Sequence, residues 1–254
     1  MALIKDEAFV LRRLDFSETS QVLAIFTRDH GQQSVLYKGA KRATKTRASI
    51  GIDLLEKGDA VFSLRPGKED RMATLTDWRQ RDGFRHLRNS LGALYSAEYA
   101  ADVTLSLTER HDAHPPLFDS INSLFNDLAA PPYLDSVARF QWELLTHVGL
   151  QPEMRNCAAC GKDTSADEIL FFSSHQGGAL CRDCETHAIE KRRLSRATAD
   201  VLIDASKRSV GRAFMLLDYH LRETIGRPPR LSKMLQSALR DELKELVDKR
   251  LLDR

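Results

Sequence analysis

EAFVLRRLDFSETSQVLAIFTRDHGQQSVLY, residues 7–37, is the segment that decides how the chain folds. Its first part, EAFVLRRL at 7–14, is a short apolar run suited to a pleated strand. SQVLAIFT at 20–27 is β-branched and aromatic and predicts a second, buried strand. RDHG at 28–31 makes a turn in which Gly31 supplies a positive φ, and QQSVLY at 32–37 forms a third strand. Downstream, DLLEKGDAVFSL carries Ala60, Phe62 and Leu64 on one face at period two. Pro66-Gly67 then punctuates a turn, and RMATLTDW at 71–78 is the fifth strand. Five strands within about 75 residues predict a small closed or half-closed barrel, because closure removes exposed edges. Phe9, Phe16, Phe26 and Phe62 are expected in its core.

Between the third and fourth strands lies YKGAKRATKTRASIG, residues 37–51, with Lys38, Lys41, Arg42, Lys45 and Arg47 and no acid from Ser34 to Ile52. Five cations without neutralising partners repel one another, and phosphates relieve that repulsion with release of counterions. The plainer alternative is a solvated basic loop. Arg12, Arg13, Arg65, Lys68 and Arg71 on neighbouring strands and turns extend the candidate phosphate track. Tyr37 borders the loop and suits either base stacking or core packing.

The texture changes between Trp78 and Arg85, giving a barrel over 1–80 and a helical domain over 81–254. Leu87, Leu91, Leu94 and Ala101 recur at helical spacing. PPLFDSINSLFNDLAA opens on prolines and carries Leu117, Ile121, Leu124, Phe125 and Leu128 as one stripe. YLDSVARFQWELLTHVG repeats the pattern with Leu134, Val137, Leu144, Leu145 and Val148, and Gly149 stops it. Three later helices are expected to begin at Ser195, Ser209 and Ser232. The second turns Phe214, Leu217 and Leu221 inward and ends at Gly226, and the last lines Leu235, Leu239, Leu243 and Leu246 along one face. IGRPPRLSK, between those two helices, offers Arg227, Arg230 and Lys233 as a second, weaker cationic candidate.

The chain's four cysteines form two Cys-x-x-Cys pairs, RNCAACGK at 155–162 and ALCRDCET at 179–186. Two intervening residues let one tight turn aim both sulfurs at a single ion, and two such turns supply the tetrahedron that Zn²⁺ prefers. Cys157, Cys160, Cys181 and Cys184 are therefore read as one closed, structural zinc site within a module spanning about 154–188. Neither pair sits between an apolar strand and a helix, as a thioredoxin-type redox motif needs. Between the pairs, EILFFSSHQGGALC predicts two short strands around Gly177-Gly178, as in a zinc ribbon. So small an insertion lacks a core of its own, and ligation is expected to supply the missing folding energy. His175 and His187 are expected at the surface.

The 254 residues are 42% hydrophobic and 29% charged, with a formal net charge of +2. That charge is uneven: +3 over 1–80, −7 over 81–185 and +6 over 186–254. Basic ends favour polyanion contact. The amino terminus lacks the basic-then-apolar layout of a leader peptide, so a cytoplasmic, reducing location and free thiols are expected. There is no Gly-rich phosphate loop, His-Glu-x-x-His or nucleophile elbow, so the chain is not expected to be an enzyme. A zinc-ribbon protein that binds one duplex sequence, or that scaffolds other proteins, is the alternative class, although no recognition-helix motif is visible.

VLRRLDFSETSQVLAIFTRDHGQQSVLYKGAKR at 10–42, RPPRLSK at 227–233 and the four cysteines together resemble the RecO family of bacterial recombination mediators. The resemblance covers essentially the whole chain. It implies an α+β protein with an amino-terminal five-stranded OB-fold barrel and a helical domain carrying a four-cysteine insertion. It implies binding of single- and double-stranded DNA and annealing of complementary strands. It further implies partnership with RecR and with the acidic tail of single-strand-binding protein, helping to load RecA on gapped DNA. On that reading Arg227, Arg230 and Lys233 are candidates to meet the acidic tail.

Overall fold

The computed structural model describes residues 2–41, 51–64, 72–205 and 210–245. Five strands, β1 (Ala2–Asp15), β2 (Gln21–Thr27), β3 (Gly31–Tyr37), β4 (Lys57–Leu64) and β5 (Ala73–Asp82), close into a barrel in the order β1-β2-β3-β5-β4. This is the OB-fold arrangement. The long β1 makes closure possible: it pairs β4 from Ala2↔Leu64 to Phe9↔Lys57, and β2 from Ala8↔Thr27 to Asp15↔Gln21. A register shift between Val10 and Arg12 bends the strand between its two partners. The β3–β5 pair is parallel, Val35↔Ala73 to Tyr37↔Leu75, and closes the ring. Gly31 has φ 63° as expected, and a Cβ there would lie 1.9 Å from the Asp112 carbonyl oxygen. The β2–β3 hairpin tip thus presses directly on the loop at residue 112.

The barrel is filled by Val10, Leu23, Ile25, Val35, Phe62 and Leu75, among others. Of the four aromatics expected there, Phe62 alone belongs. Side chains alternate along a strand, so Phe9 and Leu11 leave the barrel on the face opposite Ala8 and Val10 and join the helical core. Phe26 joins it too. Phe16 lies beyond the end of β1 and is 67% exposed. The Phe9 ring sits 4.6 Å from Phe118 and 5.5 Å from Phe125, centre to centre.

A 3-10 turn at Arg85–Arg88 leads into α1 (Leu91–Leu107), followed by α2 (Pro115–Asp127) and α3 (Leu134–His147). The expected apolar stripe of α2 is buried, and so is that of α3 except for Val148, which is half-buried just past the helix end. In α1 the expectation fails at Leu91, which is 61% exposed. The buried face of α1 is built from Ala93, Ala97, Ala100 and Ala101 with Tyr99, small residues that let its neighbours approach closely. A Cβ on Gly92 would stand 2.9 Å from the Tyr133 ring. After the cysteine module come α4 (Arg196–Ile203), α5 (Phe214–Ile225) and α6 (Ser232–Ala238). Ser195 caps α4, its hydroxyl accepting from the Thr198 N–H. Gly226 ends α5 at φ 75°. The expected start at Ser209 lies outside the described residues, and a 3-10 turn at Gly211–Ala213 precedes α5.

Ser232 is the first residue of α6 and does not cap it; its hydroxyl donates instead to Asp218, at 2.8 Å. The last helix is not continuous. α6 ends at Ala238 and a helical turn resumes over 240–245, while Leu246 lies outside the described residues. The break lets the Glu242 carboxylate accept the Tyr133 and Leu134 N–H groups, capping α3 from another helix. A buried network ties the bundle together. Tyr99 donates to Asp218 at 2.8 Å, Gln141 donates to Tyr99 at 2.8 Å, and Gln236 donates to Asp218 at 2.9 Å. Burial, with the Asp218 charge beside it, pushes the Tyr99 hydroxyl well above its ordinary pKa, so it stays a donor.

Phe9 belongs to the joint between barrel and bundle, so Phe9→Ala is expected to cost about 3–5 kcal/mol. Leu91→Ala on the exposed face should stay within about 0.5 kcal/mol of the parent. Urea unfolding of the two variants distinguishes them; equal effects would contradict the assignment of Phe9 to the joint.

Candidate functional site

The cysteine module is a three-stranded sheet of β6 (Ile169–Ser173), β7 (Gly178–Leu180) and β8 (Arg192–Ser195), in the order β7-β6-β8. The hairpin around Gly177-Gly178 matches expectation, and β8 is an addition to it. In the first knuckle the Cys157 N–H donates to the Lys162 carbonyl and the Gly161 N–H to the Cys157 carbonyl, both at 2.8 Å. In the second, the Glu185 N–H donates to the Cys181 carbonyl at 3.1 Å. The Ala158 N–H reaches the Ala179 carbonyl at 2.8 Å and so joins the first knuckle to β7.

These turns gather the sulfurs of Cys157, Cys160, Cys181 and Cys184 within 4.8 Å of one another, with no disulfide among them. Cys160 and Cys181 are 3.9 Å apart, close to the roughly 3.8 Å edge of a tetrahedron with bonds of about 2.3 Å to a central ion. Burial raises the Cys157 thiol, but N–H groups of Cys181, Cys160 and Ala159 outweigh it and bring the thiol down to about 6. Contact with the sulfurs of Cys160 and Cys181 pushes Cys184 up to about 12. Four such sulfurs ionise together only around a cation, and a divalent ion removes the conflict. The cluster has the geometry to hold a metal ion. His175 and His187 are exposed, as expected.

The module has almost no core of its own, as its size predicts, and draws on the helical core as well as on its sulfurs. Leu170, Phe172, Ala179 and Leu194 belong to the main helical core, leaving Cys157, Leu180 and Cys181 as its local cluster. His220 on α5 receives it: Nδ1 lies 2.7 Å from the Ser174 hydroxyl and Nε2 3.2 Å from the Leu150 carbonyl. Glu190 accepts from Ser173 at 2.9 Å, from the His175 N–H at 2.8 Å and from the Tyr219 hydroxyl.

The described cations follow the end of β1. Lys38 is exposed where β3 finishes. Lys41, expected to lack a neutralising partner, instead pairs with Asp15 of β1 at 2.7 Å and holds that carboxyl below its usual range. Arg13 pairs with Asp53 at 2.7 Å, and Arg12 lies 3.7 Å from Asp102. The register Tyr37↔Leu75 and Phe62↔Leu75 brings the strand ends that lead into both basic loops to one side of the barrel. Arg42, Lys45, Arg47, Arg65, Lys68 and Arg71 themselves lie outside the described residues. Tyr37 packs against the barrel core.

The late basic stretch meets the barrel here. Asp102 on α1 is 4% exposed and accepts Arg227 at 3.1 and 3.3 Å and the Arg230 N–H at 2.8 Å, besides facing Arg12. Lys233 is exposed. A cavity of about 170 Å³ opens at this seam, bordered by Arg12, Arg13, Glu98, Asp102 and Arg230. Burial pushes the Glu98 carboxyl up against the pull of Arg230 and Arg88. Nothing in the sequence marks Asp102 as the meeting point. KRRLSR at 191–196 is marked in the sequence by its run of cations alone.

A closed five-stranded barrel fused to a helical bundle, with a four-cysteine centre beside it, defines a class of small barrel-and-bundle proteins. Two family models match the chain: "Recombination protein O N terminal" over residues 1–84 and "Recombination protein O C terminal" over residues 88–233. The chain belongs to the RecO family. Three relatives carry the name DNA repair protein RecO. That of Halalkalibacterium halodurans is 30% identical over 181 residues, covering 71% of this chain and 68% of the relative. That of Alkaliphilus metalliredigens is 30% identical over 190 residues, 74% of each. That of Anaeromyxobacter dehalogenans is 31% identical over 185 residues, 72% of this chain and 71% of the relative.

His220 generates a pH prediction. Burial is the main cause of its lowered pKa, against the opposing pull of the Leu150 carbonyl and Glu190. The unfolded chain therefore takes up the proton first, near pH 6.5. The stabilising contribution is complete above that pH and is lost as pH falls from 6.5 towards the lower folded value. Unfolding free energy measured from pH 7.5 to 5 should decline less in His220→Gln than in the parent; parallel curves would contradict this role.

Proposed function

We propose that this protein is a DNA repair and recombination mediator that acts by binding and catalyses no turnover. Residues 1–80 would form its nucleic-acid-binding unit and 81–254 its helical partner, with the module at about 154–188. The observation that carries the reading is the row of cations along the end of β1, from Lys41 through Arg13 and Arg12 to Arg230, on a chain of the RecO family. Phosphates bound there orient a strand without specifying its sequence, so single- and double-stranded DNA are both substrates. Lys38 extends the row, and Arg42, Lys45, Arg47, Arg65 and Lys68, outside the described residues, are proposed as further phosphate contacts. A cationic face lowers the repulsion between complementary strands, and annealing then needs no bond chemistry. Family membership supports RecR and the acidic tail of single-strand-binding protein as partners in loading RecA. Arg227, Arg230 and Lys233 are the candidate contacts for that tail.

The metal is Zn²⁺, one per chain, by the match of four thiolates to a closed tetrahedral site; its role is to hold the two knuckles together. No helix among the described residues is long and apolar enough to cross a membrane, and the proposed place of action is the cytoplasm, at the nucleoid.

The test is a charge reversal, Lys41→Glu with Arg42→Glu. Loss of two phosphate contacts should lower the slope of log affinity against log salt for a single strand by about 1.4. Circular dichroism should be unchanged. Equal slopes and affinities in parent and variant would remove this face from the reading.

A further inference from the structure

A second cationic surface lies away from the barrel. A cleft of about 690 Å³ opens between β8, the first turn of α4 and the start of α5. Arg192, Arg193, Arg196 and Arg212 line it with Met215 and Leu216, and Glu168 is the only acid among its described lining residues. A concave surface of one sign focuses its field and concentrates counter-ions. Ser195, Arg196 and Thr198, in the capped first turn of α4, also border the cleft, so the positive end of that helix dipole adds to the field.

Two of the guanidiniums are set in place by the fold. Arg192 lies 3.9 Å from the centre of the Tyr219 ring, whose hydroxyl is itself fixed by Glu190. Arg196 donates to Asp200 at 2.8 Å and to the Thr164 carbonyl at 2.7 Å. Arg193 projects from β8 and is exposed. Met215, 48% exposed, and Leu216 give the cationic row an apolar border. Arg192 and Arg193 are adjacent on β8, about 3.3 Å apart along the strand, and Arg196 on α4 and Arg212 before α5 carry the charge further along the cleft. Spread charge beside a guanidinium stack matches a run of phosphates with bases that stack on arginine planes. A single carboxylate would need the charges to converge.

The barrel cations lie along β1, which meets the bundle at α1, whereas β8 packs on α4 and the 3-10 turn at Gly211–Ala213 packs on α3, α4 and α5, and no residue lines both the seam cavity and the cleft. The two surfaces are separate. We propose that this cleft holds a second nucleic-acid strand by its phosphates, with bases set against Met215, Leu216 and the Arg192–Tyr219 stack. One chain then carries two strands at once, one on the barrel and one beside the cysteine module. This rests on the reading that the barrel face binds single strands.

Native mass spectrometry of the full metal-loaded chain with a short oligothymidine at low salt tests it. The parent should hold two oligonucleotides per chain. Arg193→Glu with Arg212→Gln should hold one, and the barrel reversal Lys41→Glu with Arg42→Glu should also hold one. Arg193→Gln alone, which leaves no new charge, should weaken the second binding step with an unchanged spectrum of secondary structure. Two oligonucleotides on the Arg193 and Arg212 variant, or one on both parent and variant, would overturn the cleft proposal while the barrel reading stands. None on the parent would overturn the barrel reading and the cleft with it. One oligonucleotide plus a glutamate-rich peptide on the parent, the peptide lost in the variant, would overturn it and assign the cleft to an acidic protein.

Discussion

Strand β1 belongs to two cores at once, and the rest of the molecule depends on that. Ala8 and Val10 fill the barrel, while Phe9 and Leu11 on the opposite face fill the helical body among Phe84, Phe118 and Phe125. Removing the bundle would expose Phe9, and removing the barrel would leave a hole where Phe9 packs. The polar counterpart is Asp102. A carboxylate so buried is costly unless paired and hydrogen-bonded. Arg227, the Arg230 N–H and Arg12 meet that demand from two distant parts of the chain. The same carboxylate that locks the seam therefore fixes where the cations stand.

The cysteine module is divided between two kinds of support. Its sheet is held by the helical core through Leu170, Phe172 and Leu194 and by hydrogen bonds from His220 and Tyr219. Its knuckles are held by the sulfurs, which need an ion to coexist as thiolates. β8 runs from the metal module into α4, so its arginines inherit the position of both.

What was legible in the sequence was local. A β-branched, aromatic run marks β2, a period-two run marks β4, prolines open α2, Gly226 closes α5, Ser195 caps α4, and cysteine spacing marks the sulfur cluster. Each depends on a few adjacent residues. What was not legible depends on partners far away in sequence. The inward or outward choice for Phe9 is decided by the bundle that covers β1, and a period-two pattern cannot say which of its faces is the barrel's. Leu91 fits a helical stripe, yet it is exposed while the alanines of α1 face inward, and beside them Tyr133 and Leu239 stand too close to Gly92 for a larger side chain. Ser232 looks like a cap, but a buried Asp218 claims its hydroxyl. Asp102 is one acid among many until the fold brings three basic partners to it. Lys38, Lys41, Arg12 and Arg13 were readable as cations, and their alignment along β1 follows from the strand register.

The most direct test of the central claim, that this fused barrel presents a phosphate-binding face, is the salt dependence of binding to two unrelated single strands. Fluorescence anisotropy across a range of salt concentrations provides it. The account predicts that log affinity falls linearly and steeply with log salt, with the same slope and similar affinity for both sequences. Absence of binding at low salt, or salt-insensitive binding to one sequence alone, would contradict it.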